Sequence, residues 1–244
     1  MDKFLIYLIF ALTAQVTIAE GISLLPVTIH SDEASLQRGA KIYMNYCAGC
    51  HSLRYLRYNR LAKDLGLTTF TGQIDTNLLF NNLIFTSAKL QDPIQISMPK
   101  KDALRWFGKE PPDLSLKARE RGANWIYTYL KSFYFDVKRP FGSNNLLLPE
   151  AAMPNVLEPL IGKVVLTAPK TEAHSLDQLL LIKSGEMTQE QFDSTVTDLV
   201  SFLVYVSEPN RLTRHHIGIF VLIFLAIFTI FAYLLKKLYW KNIH

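Results

Sequence analysis

The sequence predicts a mainly α-helical domain, residues 20–210, carried on one C-terminal helix fit to span a membrane. Three observations predict it. Residues 217–235 are apolar and uncharged. Apolar residues recur at helical spacing in three other places, one of them opened by a capping pattern. The long stretches 89–113 and 136–172 are rich in Pro, Asn and Gly and show no alternating strand pattern.

Taken in order, residues 1–19 have the layout of a signal peptide: Lys3, an apolar run from Phe4 to Ala14, and Ala19 before the expected cut. A helix is expected over 34–46, where Leu36, Ala40, Tyr43 and Tyr46 share a face. A second is expected over 116–133, around Ala123, Ile126, Leu130 and Phe133. Thr188 and Gln191 form a capping-box pattern, and Leu199, Phe202, Leu203 and Val206 follow at helical spacing. These read as a helix pair that ends at Pro209. Residues 211–216 read as a short linker and 217–235 as the span, whose nineteen residues cover about 30 Å, roughly the hydrocarbon thickness. Tyr233, Tyr239 and Trp240 sit where an aromatic belt lies, and 236–244 read as a cytoplasmic tail with Lys236, Lys237 and Lys241.

The net charge of +5 and pI near 9.1 do not make this a nucleic-acid binder. Residues 20–210 hold 20 basic and 20 acidic side chains, so the excess belongs to the membrane flanks. Within that neutral domain the charge is polarised: 17 basic against 8 acidic residues over 38–139, and 3 against 9 over 140–210.

The chemistry is concentrated in Cys47-Ala-Gly-Cys50-His51. Two thiols three positions apart can form thioethers with the two vinyl groups of a haem, and the adjacent histidine then meets the iron. Zinc would need more ligands, and no second Cys-x-x-Cys exists. A thioredoxin-type pair should follow a strand, whereas this one ends an amphipathic helix. A haem also accounts for the loops, because a flat apolar cofactor supplies core that loop-rich chain lacks. With both thiols consumed, none of the two cysteines remains for a disulfide.

Five methionines compete for the second axial position. Met1 leaves with the leader, and Met44 is too near the motif to reach the opposite face. Met98, Met153 and Met187 remain; the first two precede a proline, which restrains their backbone to extended geometry.

Ser35-Leu-Gln-Arg-Gly-Ala-Lys-Ile-Tyr43, the Cys47–His51 motif, Pro111-Pro-Asp-Leu-Ser115, Ala152-Met-Pro154 and Glu208-Pro209 before an anchor stand in a familiar order. In this order the chain resembles the cytochrome c1 family over nearly all its length after the leader. The resemblance implies a class I cytochrome c-like haem domain with long loops and one covalent haem c. It implies Cys47 and Cys50 as attachment points, His51 and Met153 as axial ligands, and Pro111 and Pro112 lining the haem crevice, with a backbone carbonyl there accepting from His51. Arg119 would pair with a haem propionate and Trp125 would lie near the haem.

Functionally the resemblance implies one-electron transfer from the Rieske iron-sulfur protein of the cytochrome bc1 complex to a c-type cytochrome. The partners would be cytochrome b, the Rieske protein, the acceptor cytochrome and the bilayer, in a dimeric complex, with no nucleic acid. The haem domain would lie in the periplasm of a bacterial inner membrane. The acids of 140–210, for example Glu150, Glu158, Glu172 and Asp177, suit attraction of a basic carrier. The alternatives are a tethered carrier serving a terminal oxidase or reductase, and a haem sensor or purely structural anchor.

Overall fold

The computed structural model describes residues 22–167 and 176–242, so the leader and Glu172 lie outside the described residues. In chain order the elements are α1 (Glu33–Tyr46), β1 (Leu53–Arg57), α2 (Tyr58–Asp64), α3 (Thr76–Asn82), β2 (Pro93–Ile94), α4 (Lys100–Phe107), α5 (Lys117–Arg121) and α6 (Ala123–Lys131). There follow β3 (Phe133–Phe135), β4 (Ser143–Asn145), α7 (Glu158–Ile161), β5 (Gly162–Leu166), β6 (Leu179–Ser184), α8 (Gln189–Ser207) and α9 (Arg211–Tyr239).

The first helix forms where its pattern and cap agree. The Asp32 carboxylate accepts from the Ser35 backbone N–H at 2.9 Å, and Leu36, Ala40 and Tyr43 turn inward together. At the other end of the domain, Thr188 Oγ1 accepts from the Gln191 N–H at 3.3 Å while Gln191 Oε1 accepts from the Thr188 N–H at 2.9 Å. That reciprocal cap starts one helix of 19 residues, not the expected pair. Its buried stripe of Phe192, Val196, Leu199, Phe202, Leu203 and Val206 never loses register, so nothing breaks it before Ser207.

Helices α1 and α8 form the main packing contact of the domain. They cross at Gly39, where a Cβ would stand 2.2 Å from the Asp198 carbonyl oxygen and 2.7 Å from Phe202 Cβ. Beside the crossing, Arg38 grips the buried Asp198 carboxylate with two nitrogens, Nη2 at 3.1 Å from Oδ1, and the same Nη2 donates to Ser35 Oγ at 2.9 Å. Arg38 remains half exposed, so losing its partner does not strand a buried cation. Asp198→Ala is therefore expected to cost about 2 kcal/mol, the scale of lost hydrogen bonds to a charged group and less than is usual for a broken buried pair. Denaturant unfolding of the detergent-solubilised protein checks this; an unchanged midpoint would remove the pair from the stability account.

The helix expected over 116–133 is divided at Gly122, whose φ of 87° turns the chain between α5 and α6. Both pieces pack on α8. The stretches expected to lack strands also contain them. β3 pairs antiparallel with β4, Phe133 opposite Asn145, and parallel with β5, Phe135 opposite Val165. β5 pairs antiparallel with β6, giving the order β4-β3-β5-β6. The first two strands have three residues each, too short to display alternation, and β4 is Ser-Asn-Asn. Within 89–113, β2 pairs with β1 and α4 forms a short helix.

Helix α9 runs 29 residues, and its stretch Thr213–Tyr239 is long and apolar enough to cross a bilayer. Residues 211–216, expected as a linker, form its first turns. Glu208, Pro209 and Asn210 separate it from α8, and Arg214 closes back on Glu208 at 2.6 Å. A second tie comes from α2: Asp64 accepts from Arg60 and from the Tyr205 hydroxyl (2.7 Å), while Arg60 Nη2 donates to Asn210 Oδ1 at 2.9 Å.

Candidate haem site

Helix α1 delivers the cysteines. Its hydrogen bonding runs on past Tyr46, with the Cys47 and Ala48 N–H groups donating to Tyr43 O at 2.8 and 2.9 Å. The Cys50 and His51 N–H groups then donate to Cys47 O at 3.0 and 2.9 Å, so the motif coils into one compact turn. The buried Tyr43 hydroxyl donates to the His51 carbonyl and holds the end of that turn. Burial pushes the Cys47 thiol up to about 12 and raises Cys50 as well. That is the reverse of a redox-active thiol pair, which needs a depressed pKa.

The segment Pro111–Ser115 is bound to the chain that follows the motif. Leu114 N–H donates to Ser52 O at 2.9 Å, Arg54 N–H to Asp113 Oδ2 at 3.0 Å, and Tyr55 N–H to Ser115 Oγ at 3.1 Å. Anchored this way, the Pro112 carbonyl lies 2.7 Å from His51 Nδ1 and accepts a hydrogen bond from its N–H. This bond sets the tautomer and leaves the Nε2 lone pair free. Burial also lowers the His51 pKa, which keeps the ring neutral.

Two adjoining cavities, with empty volumes of about 540 and 1030 Å³, share Cys47, His51, Lys109, Pro112, Ala152 and Met153. Cys50, Pro111 and Phe107 line the first; Trp125, Tyr129, Leu199 and Leu203 are among those that line the second. The lining is almost wholly apolar, and its charged members are Lys109, Lys117 and Arg121, all cations.

Among the described methionines, Met153 is the one on these walls. Its sulfur accepts from the Tyr129 hydroxyl at 3.6 Å, and Tyr129 stacks on Trp125 with ring centroids 5.1 Å apart. Burial pushes the Tyr129 hydroxyl up to about 12, so it remains a donor. Met98 lines neither cavity, Met187 accepts from Thr195 at the start of α8, and Met44 lies in the core.

Arg119 is not brought to the site: it is exposed on α5 and lines neither cavity. Lys117 and Arg121 line the second cavity instead, each also paired with Glu120, at 2.6 and 3.3 Å, and Arg121 lies over the Trp125 ring at 5.1 Å. Tyr129, missed in the sequence, stands four residues after Trp125 and so shares its helical face. That spacing was the available signal for it.

The residues fit a haem. Two thiols open on an apolar cleft, a neutral imidazole with a free nitrogen and a thioether stand on its walls, and the cations suit the carboxylates such a group carries. A zinc ion or a disulfide would leave the cleft and the thioether without a purpose, and a helical domain of this kind, tethered to an apolar C-terminal helix, is a membrane-anchored c-type cytochrome. Comparison with known proteins is more specific. The Cytochrome C1 family model matches residues 25–243, and the chain belongs to that family.

It is 49% identical over 217 residues to cytochrome c1 of Allochromatium vinosum, covering 87% of this chain and 86% of that one. It is 44% identical over 214 residues to the ammonia monooxygenase gamma subunit of Nitrosomonas europaea, with 88% and 86% covered. Cytochrome c1 of Rhodospirillum rubrum is 26% identical over 235 residues, with 87% and 83% covered. Membership makes the chain a membrane-anchored electron-transfer cytochrome of the bc1 complex in the respiratory chain, with a covalently bound haem c.

Proposed function

We propose that Cys47 and Cys50 would hold a haem through thioether bonds and that His51 Nε2 and Met153 Sδ would ligate its iron. The observation that carries this reading is that Met153, among the described methionines, shares both cavity walls with Cys47 and His51. Bound there, the haem supplies a one-electron ferric and ferrous couple. The protein's part is positional and electrostatic. The Pro112 carbonyl orients the imidazole, and the apolar walls keep water away, which favours the less charged reduced state. Lys117 and Arg121 stand where carboxylates can be neutralised.

The Tyr129 hydroxyl draws electron density from the Met153 sulfur and so disfavours the oxidised state. Tyr129→Phe is expected to lower the midpoint potential by tens of mV, on the order expected for losing one outer hydrogen bond. Redox titration of the membrane-bound protein checks it; a rise would reverse the role given to the hydroxyl.

In this reading the chain takes one electron from the Rieske iron-sulfur protein, beside cytochrome b in a dimeric complex, and gives it to a c-type cytochrome. The overall reaction is ubiquinol:cytochrome c oxidoreduction. The domain 20–210 lies in the periplasm of a bacterial inner membrane with the C-terminus in the cytoplasm. The leader-like residues 1–19 and the lysines at 236, 237 and 241 support that orientation. No side chain acts as acid, base or nucleophile.

The test is to add ubiquinol to isolated membranes and follow haem reduction by visible absorption, with and without an inhibitor of quinol oxidation. Fast reduction that the inhibitor abolishes is expected. Reduction indifferent to the inhibitor would favour a tethered carrier serving another oxidoreductase.

A further inference from the structure

We infer that the face formed by α4 and the Gly108–Lys109 turn is the docking surface for the electron acceptor, and that the acceptor meets it with an acidic rim. The inference rests on the electron-delivery reading above.

Helix α4 buries one residue, Ala103, and leaves Leu104 53% and Trp106 56% exposed. Its eight residues thus present two large apolar side chains that the domain itself does not cover. The helix is also placed at the site: Phe107, its last residue, lines the cavity together with Cys50, and the Phe141 ring, itself partly exposed, meets Phe107 at 5.5 Å. A partner seated on Trp106 therefore stands against the wall of the redox centre.

The charge around that apolar patch is positive. Residues 100–109 carry Lys100, Lys101, Arg105 and Lys109 against Asp102 alone. Lys100 is neutralised by Glu110 at 3.2 Å. Lys101, Arg105 and Lys109 are exposed and have no carboxylate partner among the described residues. An apolar centre with an aromatic anchor and an incomplete ring of cations matches the anatomy of a transient interface whose partner supplies the opposite sign.

The acidic excess of 140–210 is partly taken up within the fold. Glu150 pairs with Arg139 at 3.6 Å, Asp193 with Lys131 at 2.7 Å, Glu208 with Arg214 at 2.6 Å, and Asp198 is buried against Arg38. At least four of its nine acids are thus occupied by basic residues, three of them from 38–139, so the polarity of the sequence is partly cancelled on folding.

Delivery moves one electron from the reduced chain to the oxidised centre of the acceptor, with no proton or bond exchanged. The experiment uses the whole membrane complex, reduced chemically beforehand, so that its outcome does not depend on the quinol step. An acidic and a basic soluble c-type cytochrome serve as probes in stopped-flow oxidation at several salt concentrations. The rate to the acidic probe is expected to fall steeply as salt rises. The double variant Lys101→Glu, Arg105→Glu is expected to slow it by about tenfold or more at low salt, with quinol-driven haem reduction unchanged. Lys101→Gln with Arg105→Gln should give an intermediate loss. A faster reaction with the basic probe at low salt in the parent protein would overturn the proposal. So would rates to both probes that ignore the substitutions, which would leave this face to lipid or another subunit. Failure of inhibitor-sensitive reduction by quinol would count against the proposed function without touching this result.

Discussion

Replacing Met153 with alanine is expected to leave the haem attached and to open the iron to exogenous ligands. Cys47 and Cys50 are untouched by the substitution, and the Pro112 carbonyl still holds His51. The sulfur is the group that disappears, together with the acceptor of the Tyr129 hydroxyl. The reduced variant should bind carbon monoxide, which the parent should refuse, and the oxidised variant should lose its sulfur-to-iron charge-transfer absorption. Its midpoint potential should fall by on the order of 100 mV or more, a modest share of the roughly 0.8 V that axial ligands span. Met98→Ala and Met187→Ala should change none of these, since neither sulfur lines the cavities. If Met153→Ala kept the parent spectrum and excluded carbon monoxide, the ligand would have to be sought elsewhere.

Gly39→Ala is expected to be severely damaging for a change of one methyl group. The new Cβ would sit 2.2 Å from the Asp198 carbonyl oxygen, a backbone atom of a long helix that cannot swing aside like the end of a flexible side chain. Helices α1 and α8 must separate, which strains the Arg38 to Asp198 pair and loosens Tyr43 from Phe202, whose rings are 5.7 Å apart. A cost of about 3 kcal/mol or more is expected, equivalent to a thermal midpoint lower by roughly 10 °C for a domain of this size. Because α1 leads straight into the Cys47–His51 turn, the visible absorption should report the loss along with circular dichroism. Gly39→Leu should fail to accumulate as folded protein. An alanine variant that melts with the parent would mean that the two helices do not meet at this residue.

Cancellation of charge between distant segments also bears on how the acceptor is sought. A search guided by net charge along the sequence would favour a basic carrier, whereas the surface beside Phe107 and Lys109 favours an acidic one. Trp106 is the residue on that face whose loss should weaken docking beyond electrostatics, since aromatic anchors dominate small interfaces.

Much of this protein could be read from sequence, and what could be read has a common physical character. The α1 helix, the capping box at Thr188, the attachment motif and the apolar run of α9 all rest on side chains within four residues of one another, or on unbroken composition. Such signals survive in the unfolded chain. The strands were hidden because β3 and β4 have three residues each and are held by partners 12 or 30 residues away, as in Phe133 with Asn145 and Phe135 with Val165. The helix pair that proved to be one helix, and the single helix that proved to be two, were decided by packing on α8 and by the positive φ of Gly122.

At the site the division is the same. The thiols and the imidazole lie within one turn and were legible, as was the Pro-Pro segment once its order in the chain was recognised. Which cation reaches the cavity was not: Arg119 and Arg121 are two residues apart and nearly equivalent in sequence, and the fold decides between them. The covalent chemistry, the helical caps and the membrane anchor are legible along the chain because each is local. The cations at the cavity, the Tyr129 bond to Met153, the uncovered face of α4 and the pairing of Arg38 with Asp198, 160 residues away, arise on folding, because they depend on which surfaces the folded chain brings together.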